Sequence, residues 1–444
     1  KINSFRIIGQ CEPFKFLSFK ISIMLEKIII SNFRSVKSAE INLSKINVIY
    51  GGTATGKSSI LYALIILKNF VKNPNQAIDS FFNCGFLNLG GFDESVFNHD
   101  QKREIKIGFS IKDGKYEVNF GKSQAKIKCE YGKVVMEGEV PIPYPLNKNF
   151  YFEFEKDLFY HFENESKNSE SKSGNGLDLQ FETEDMVKFK VNWNGIISSV
   201  SPFVSNELNN KIARELEEKL NSIPSTLDSI DIVPHRRGFF KPSYSPSHVS
   251  PVNPYTEDEV ATIIINDKYL APKISSDLEK ILNRDFRLYT PPGTAVSYFQ
   301  TMDKKSRMPI NLVNDGFGVN QVVYMLAKIH RPEIKTILIE EPEIHLHPTV
   351  IRKLVRTIIS ISKEEEKQFI IVTHSELFVS SLLTAIVEKL ITPHDVKFYL
   401  AEKEGKETIL KEQKANEKGQ VEGGLESFIS AELEDLKIML GIKE

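Results

Sequence analysis

Cysteine is scarce in this sequence: Cys11, Cys84 and Cys129 are the three in 444 residues. An odd number at wide spacing gives no disulfide framework and no metal-ligand pattern, and points to a reducing, cytoplasmic setting. A net charge of one sign is also missing, because 57 Lys and Arg against 59 Asp and Glu leave −2. No global field draws polyanions, so contact with nucleic acid needs a local basic patch. Long apolar runs are absent. The longest, residues 60–71, is broken by Tyr62, Lys68 and Asn69 and reads as a buried helix, short of a membrane span. The first 23 residues carry charges and proline without a small-residue cleavage site, which argues against a signal peptide. No internal repeat and no sustained heptads are visible, so a long coiled-coil arm is not expected. What remains is ordinary for a globular protein, 41% apolar and 26% charged, with length for two or three domains or one large domain with an insertion.

Met24 opens a strand pattern that continues through 25–30, 39–43 and 46–50, followed by helical periodicity over 58–71 that Asn73-Pro74 ends. Residues 1–23 read as an extension outside the fold. Alternation dominates 104–203, a β-rich lobe with a polar, low-complexity loop near 163–178. Residues 204–291 form a helical and irregular lobe, with amphipathic helices at 207–221 and 275–283 and a Pro- and Ser-rich stretch at 234–255. After residue 292, strands near 336–339, 369–373 and 396–401 alternate with helices at 319–329, 348–360 and 376–389, the signature of a parallel sheet. The expected fold class is therefore α/β: a discontinuous core of residues 24–103 and 292–444 with the β-rich and helical segments inserted.

The chemistry concentrates in three strand ends. Gly51, Gly52, Thr53, Ala54, Thr55, Gly56, Lys57 and Ser58 satisfy G-x-x-x-x-G-K-[ST] between a strand and a helix. Glycines allow the tight turn, and loop and helix N–H groups, with Ser59 next in line, point at phosphate oxygens. Lys57 is placed for the β and γ phosphates, and Ser58 for Mg²⁺, a hard cation that takes oxygen ligands. The apolar strand Thr336-Ile-Leu-Ile339 ends in Glu340-Glu341-Pro342-Glu343. Adjacent strand residues face opposite sides, so Glu340 is assigned to the metal and Glu341 to the water as general base, with Glu343 opening the following turn. A third apolar strand ends in Thr373-His374-Ser375, where His374 can bond a γ-phosphate or the water.

The order of phosphate loop, IEEPEIHLHP and IVTHS resembles the P-loop NTPase core of ABC-ATPase type, and within it the RecF/SMC-like and OLD-like AAA ATPases. LEKIIISNFRSVKSAEINL with Arg34 at its turn, LGGFDESVF (89–97), the Pro-x-x-Arg of Pro234–Arg237 and NDGFGVNQ (314–321) carry the likeness, which covers about half the chain. It implies ATP and Mg²⁺ as cofactors, Arg34 near the phosphates, and Gly316 and Gly318 as a signature loop that closes on nucleotide held by a second subunit in an ATP-dependent homodimer. Genome maintenance or defence against mobile elements, through an effector partner, is what the family suggests. NDGFGVNQ departs from LSGGQ, His347 stands where transporter ATPases carry an Asp, and neither Gln76 nor Gln101 suits a Q-loop. The roughly seventy residues after His374 are few for an appended nuclease domain. The cluster His235-Arg236-Arg237 with Lys241, Phe239, Phe240 and Tyr244 is a nucleic-acid contact, a solvated face or an internal ion-pair site. A transporter energy module and a scaffold with little turnover are the alternatives. The first is disfavoured by the missing LSGGQ, the insertion and the lack of a membrane segment, and the second by the intact Lys57, Ser58, Glu340 and Glu341.

Overall fold

The computed structural model describes residues 24–145, 149–155 and 188–421. The expected extension (1–23) and polar loop (163–178) lie outside them. Strands β1 (Leu25–Phe33) and β2 (Val36–Asn42) form a hairpin, and β3 (Ile46–Tyr50) leads through the phosphate loop into α1 (Lys57–Lys72). Strands β4 (Ile105–Ile111), β5 (Gly114–Phe120), β6 (Gln124–Tyr131) and β7 (Val134–Pro141) then continue the hairpin into one antiparallel sheet of order β2-β1-β4-β5-β6-β7. The boundary drawn at 103/104 therefore runs through a sheet: β1 pairs with β4 from Leu25↔Ile111 to Ser31↔Lys106. Pairing gives the hairpin's inner strand a partner on both sides, and periodicity within each segment cannot reveal it.

A small sheet of β8 (Phe150–Glu155), β9 (Lys188–Trp193) and β10 (Ser198–Pro202) precedes helix α2 (Glu207–Ser225) and strand β11 (Ile230–Val233). Helix α3 (Glu257–Asn266), absent from the sequence expectation, starts in a capping box of Thr256 and Glu259. Helix α4 (Leu270–Leu282) and the sheet of β12 (Arg284–Tyr289), β13 (Tyr298–Asp303) and β14 (Pro309–Asn311) follow. The chain then runs through α5 (Phe317–Ile329), β15 (Thr336–Glu340), α6 (Pro348–Glu364), β16 (Gln368–Thr373), α7 (Glu376–Val387) and the hairpin β17 (Val396–Glu404) and β18 (Glu407–Gln413).

These last strands join β3 and β11 in a second sheet of order β11-β15-β16-β3-β17-β18, parallel except for the final hairpin. Its side chains alternate between two cores. Ile49, Leu338, Ile370 and Val372 join the cluster around α1 and the antiparallel sheet, while Val48, Ile339, Ile371 and Phe398 join the one formed with α3 to α7. Helix α1 lies between the sheets, and Ile60, Leu61, Leu64, Ile65, Ile66 and Leu67 are all fully buried. A helix covered on several faces is apolar around most of its circumference, which explains the run that imitated a membrane segment. Cys84 and Cys129 are free and buried.

Candidate functional site

Register brings the three strand ends together. Glu340 pairs with Val372 and Val372 with Ile49; one step on, Thr373 pairs with Tyr50. The chain leaves β3, β16 and β15 at one level, on the C-terminal edge where open α/β sheets bind ligands.

The loop between β3 and α1 is a tight cradle. Gly51 (φ 140°) and Gly56 (φ 89°) occupy backbone conformations that disfavour side chains, and Ala54 also has positive φ. A Cβ on Gly51 would lie 2.3 Å from Ala401 O, and one on Gly56 2.3 Å from Thr408 Oγ1. Gly52, Thr53 and Ala54 are exposed; Thr55, Lys57 and Ser59 are buried. Lys57 Nζ donates to Gly51 O at 3.0 Å and Gly52 O at 2.6 Å, and lies 3.3 Å from His374 Nδ1. Burial lowers its pKa to about 8, against the opposing pull of Glu341 and Glu343.

Glu340 shares the α1-facing side of β15 with Leu338. Its Oε1 accepts from the Tyr62 hydroxyl at 2.6 Å, and Ser58 stands one turn before Tyr62 on the same face of α1. Tyr62, which the sequence did not single out, thus holds Glu340 toward the face of α1 that carries Ser58. Glu341 lies just beyond the strand with φ 46°, so a left-handed residue, rather than strand alternation, turns it away from Glu340. Such a conformation costs about 1–2 kcal/mol for a residue with a Cβ. Two contacts hold it: Glu341 N donates to Val372 O at 2.8 Å, and Arg237 Nη2 donates to Glu341 O at 2.8 Å. Arg237 Nη1 donates to Glu340 O at 2.7 Å and to Pro234 O at 3.0 Å.

Carboxyl, imidazole and ammonium groups meet here. Glu341 Oε1 lies 3.0 Å from His374 Nε2, and His374 N donates to Glu341 Oε2 and Glu343 Oε1 at 3.2 Å each. His374 Nδ1 lies 3.0 Å from Gly51 O, which only accepts, and 3.3 Å from Lys57 Nζ, which only donates. Burial pushes the Glu341 pKa well above the usual carboxylate range, assisted by its bond to Glu343 and that residue's charge, while burial and then Lys57 lower that of His374. Glu343, read from sequence as the start of a turn, accepts from Thr373 Oγ1 at 2.6 Å, and its Oε2 is buried without a partner.

Beside the loop is a cleft of about 540 Å³ lined by residues of the loop from Ala54 to Ser59, by Arg34, and by Glu94, Asn98, Lys403 and Lys406. Arg34 (φ 52°) anchors its N–H on Ser95 O, and its guanidinium centre lies 5.9 Å from the Tyr62 ring centroid. Gly316 and Gly318 stand elsewhere, at the start of α5. They do not line this cleft; a Cβ on Gly318 would lie 2.6 Å from His345 O, and Gly316 N–H is already taken by Asp315 Oδ1. His347 caps α6, Gln101 accepts from Lys122, and Gln76 lines a separate depression. The basic-aromatic cluster at 235–244 is divided: Arg237, Phe239 and Tyr244 are buried, and Lys241 bonds Asp258 at 2.5 Å. Arg237 is the internal member.

A family model described as AAA ATPase domain matches residues 24–379. No curated protein matches the chain. Similar solved structures include the SMC head domain from Thermotoga maritima, at 10% identity over 87% of this chain and 98% of that one, TM-score 0.39. A second is an SmcHead bound to the C-winged helix domain of ScpA, at 12% identity over 88% and 98%, TM-score 0.44. A third is an Smc head domain with an extended coiled coil, bound to the C-terminal domain of ScpA derived from Pyrococcus furiosus, at 11% identity over 88% and 96%, TM-score 0.41. No helix among the described residues is long and apolar enough to cross a membrane.

Proposed function

The chain belongs to the AAA ATPase domain family and is an ATPase, and from that premise we propose that it works with Mg²⁺ as an ATP-gated homodimeric switch acting through a separate effector. The observation that carries this reading is the meeting of Lys57, Glu341 and His374 at one sheet edge, with Nζ 3.3 Å from His374 Nδ1 and Nε2 3.0 Å from Glu341 Oε1. The loop N–H groups and Lys57 bind the phosphates, and Lys57 exchanges its carbonyl contacts for phosphate oxygens. Ser58 and Glu340 offer only oxygen donors, the second held by Tyr62 one turn along α1 from the first, and fit a hard cation completed by phosphate and water. Mg²⁺ bound there supplies neutralisation of charge on the β and γ oxygens. Glu341 takes a proton from the attacking water, a role suited to a carboxyl whose pKa is raised toward neutrality. His374 orients that carboxyl and reaches toward the γ-phosphate.

Gly316 and Gly318 are exposed or half-buried and line no part of their own chain's cleft. A second subunit's nucleotide is the ligand this leaves for them, once Asp315 gives up the Gly316 N–H. Differential contact of the γ-phosphate with both subunits is what makes such a dimer nucleotide-dependent. From the sequence resemblance we carry forward a role in DNA maintenance or in defence against mobile elements.

Steady-state phosphate release by wild type and Glu341→Gln tests the hydrolytic assignment. The variant is expected to lose roughly a hundredfold or more, and equal rates would remove Glu341 from the chemistry. Sizing of Glu341→Gln with saturating Mg-ATP is expected to give a dimer; a monomer would remove the switch.

A further inference from the structure

The hairpin β17–β18 is fastened to both ends of the phosphate loop. Ala401 O stands where a Cβ on Gly51 would come, 2.3 Å away. At the other end Thr408, 1% exposed, donates through Oγ1 to Thr55 O at 2.8 Å and through N to Ser35 O at 2.7 Å, and its Oγ1 pairs with the Ser35 hydroxyl at 2.7 Å. The tip between these anchors is Lys403-Glu404-Gly405-Lys406, and both lysines line the cleft. Elsewhere on the hairpin, lysines are paired: Lys397 with Glu412 at 2.7 Å and Lys411 with Glu402 at 2.6 Å. The Lys403 and Lys406 side chains make no ion pair or hydrogen bond among the described residues. The cleft lining thus holds four basic side chains, Arg34, Lys57, Lys403 and Lys406, against one carboxylate, Glu94.

We propose that the β17–β18 hairpin is a clamp supplied by the same chain, in which Lys403 and Lys406 bind the α and β phosphates of the nucleotide. The proposal rests on the ATP reading above and adds two binding residues to it. Its direction follows from the lining: the cleft reaches from Ala54 to Ser59 and includes none of Glu340, Glu341, Glu343 or His374. The lysines therefore stand toward the end of the loop away from the hydrolytic carboxylates. Anchoring by Thr408 and Ala401 limits the freedom lost when long lysine side chains close on an anion. Two ammonium groups without carboxylate partners also hold phosphate oxygens as charge-assisted bonds with no ion pair to break first.

The test is nucleotide affinity and turnover of the K403A/K406A double variant beside wild type, K403R/K406R and Lys57→Ala, with thermal melts to confirm folding. Removing two charge-assisted contacts is expected to weaken ATP and ADP alike by roughly tenfold or more. KM should rise correspondingly while kcat stays within about twofold, and K403R/K406R should retain wild-type affinity. Unchanged ATP and ADP affinity would overturn the clamp. So would weakening of ATP alone, or a fall in kcat at unchanged affinity, since either places the lysines at the γ-phosphate or the chemical step. If wild type itself binds no ATP, the ATP reading fails. If wild type binds, Lys57→Ala does not and K403A/K406A matches wild type, only the clamp fails.

Discussion

Replacing Arg237 by Met should uncouple the acidic strand end from the rest of the site. The guanidinium is 3% exposed and donates to Pro234 O, Glu340 O and Glu341 O at 2.7–3.0 Å. Methionine fills similar volume and leaves those acceptors without their donor, at about 1–3 kcal/mol for each group that stays buried and unsatisfied. Glu341 O is only partly buried and regains water, and relaxation of the left-handed Glu341 returns about 1–2 kcal/mol. Two acceptors left buried, less that return, give an expected net loss of about 1–4 kcal/mol. Arg237→Lys keeps the charge, but a single ammonium cannot place two parallel N–H groups on successive carbonyls, so it should lie between wild type and Met. Urea unfolding reads the stability. Phosphate release, measured where each variant is folded, reads the position of Glu341, and a displacement of about 1 Å should lower kcat roughly a hundredfold. An Arg237→Met protein within 1 kcal/mol of wild type, or one that is destabilised but turns over at the wild-type rate, would refute the stapling role.

Two further outcomes follow from the same geometry. Glu341 has its pKa raised from an ordinary 4.5, so its neutral form contributes stability that is complete below about pH 4.5 and is lost as pH rises through the raised value. Nucleotide-free Glu341→Gln, which cannot ionise, should match wild type at acid pH and become the more stable of the two above it, by about 1.4 kcal/mol per pH unit until the raised pKa is passed. Chemical unfolding across that range checks it, and a difference that does not vary with pH would contradict it. Gly56→Ala puts a methyl group 2.3 Å from Thr408 Oγ1 at φ 89°. It should lower stability by about 1–3 kcal/mol and abolish detectable ATP binding, as thermal melting and a nucleotide-binding titration would show.

Legibility in the sequence followed the range of the interactions. The phosphate loop, the β15 carboxylates and His374 each sit at the end of an apolar strand, so local pattern located them, and strand–helix alternation after residue 292 gave the parallel sheet. Helix α3 went unread because the Pro- and Ser-rich stretch before it masked its start, although Thr256 and Glu259 spell out its capping box. The joining of β1 to β4 and the burial of Arg237 depend on contacts about 80 and 104 residues apart in sequence. A triplet of cations read alone resembles a solvated surface. Lys403 and Lys406 were invisible for a related reason: only the folded hairpin, pinned by Thr408 to Thr55 some 353 residues away, delivers them to the cleft. Glu343 looked dispensable because its partner Thr373 belongs to the neighbouring strand.

The most direct measurement is a crystal structure of Glu341→Gln with Mg-ATP. Lys57 Nζ should have left Gly51 O and Gly52 O for the β and γ phosphate oxygens, with the metal on the Ser58–Glu340 side and a water between residue 341 and the γ-phosphorus. A triphosphate bound away from the Gly51–Ser59 loop, or one whose γ-phosphate is remote from residue 341 and His374, would contradict the account.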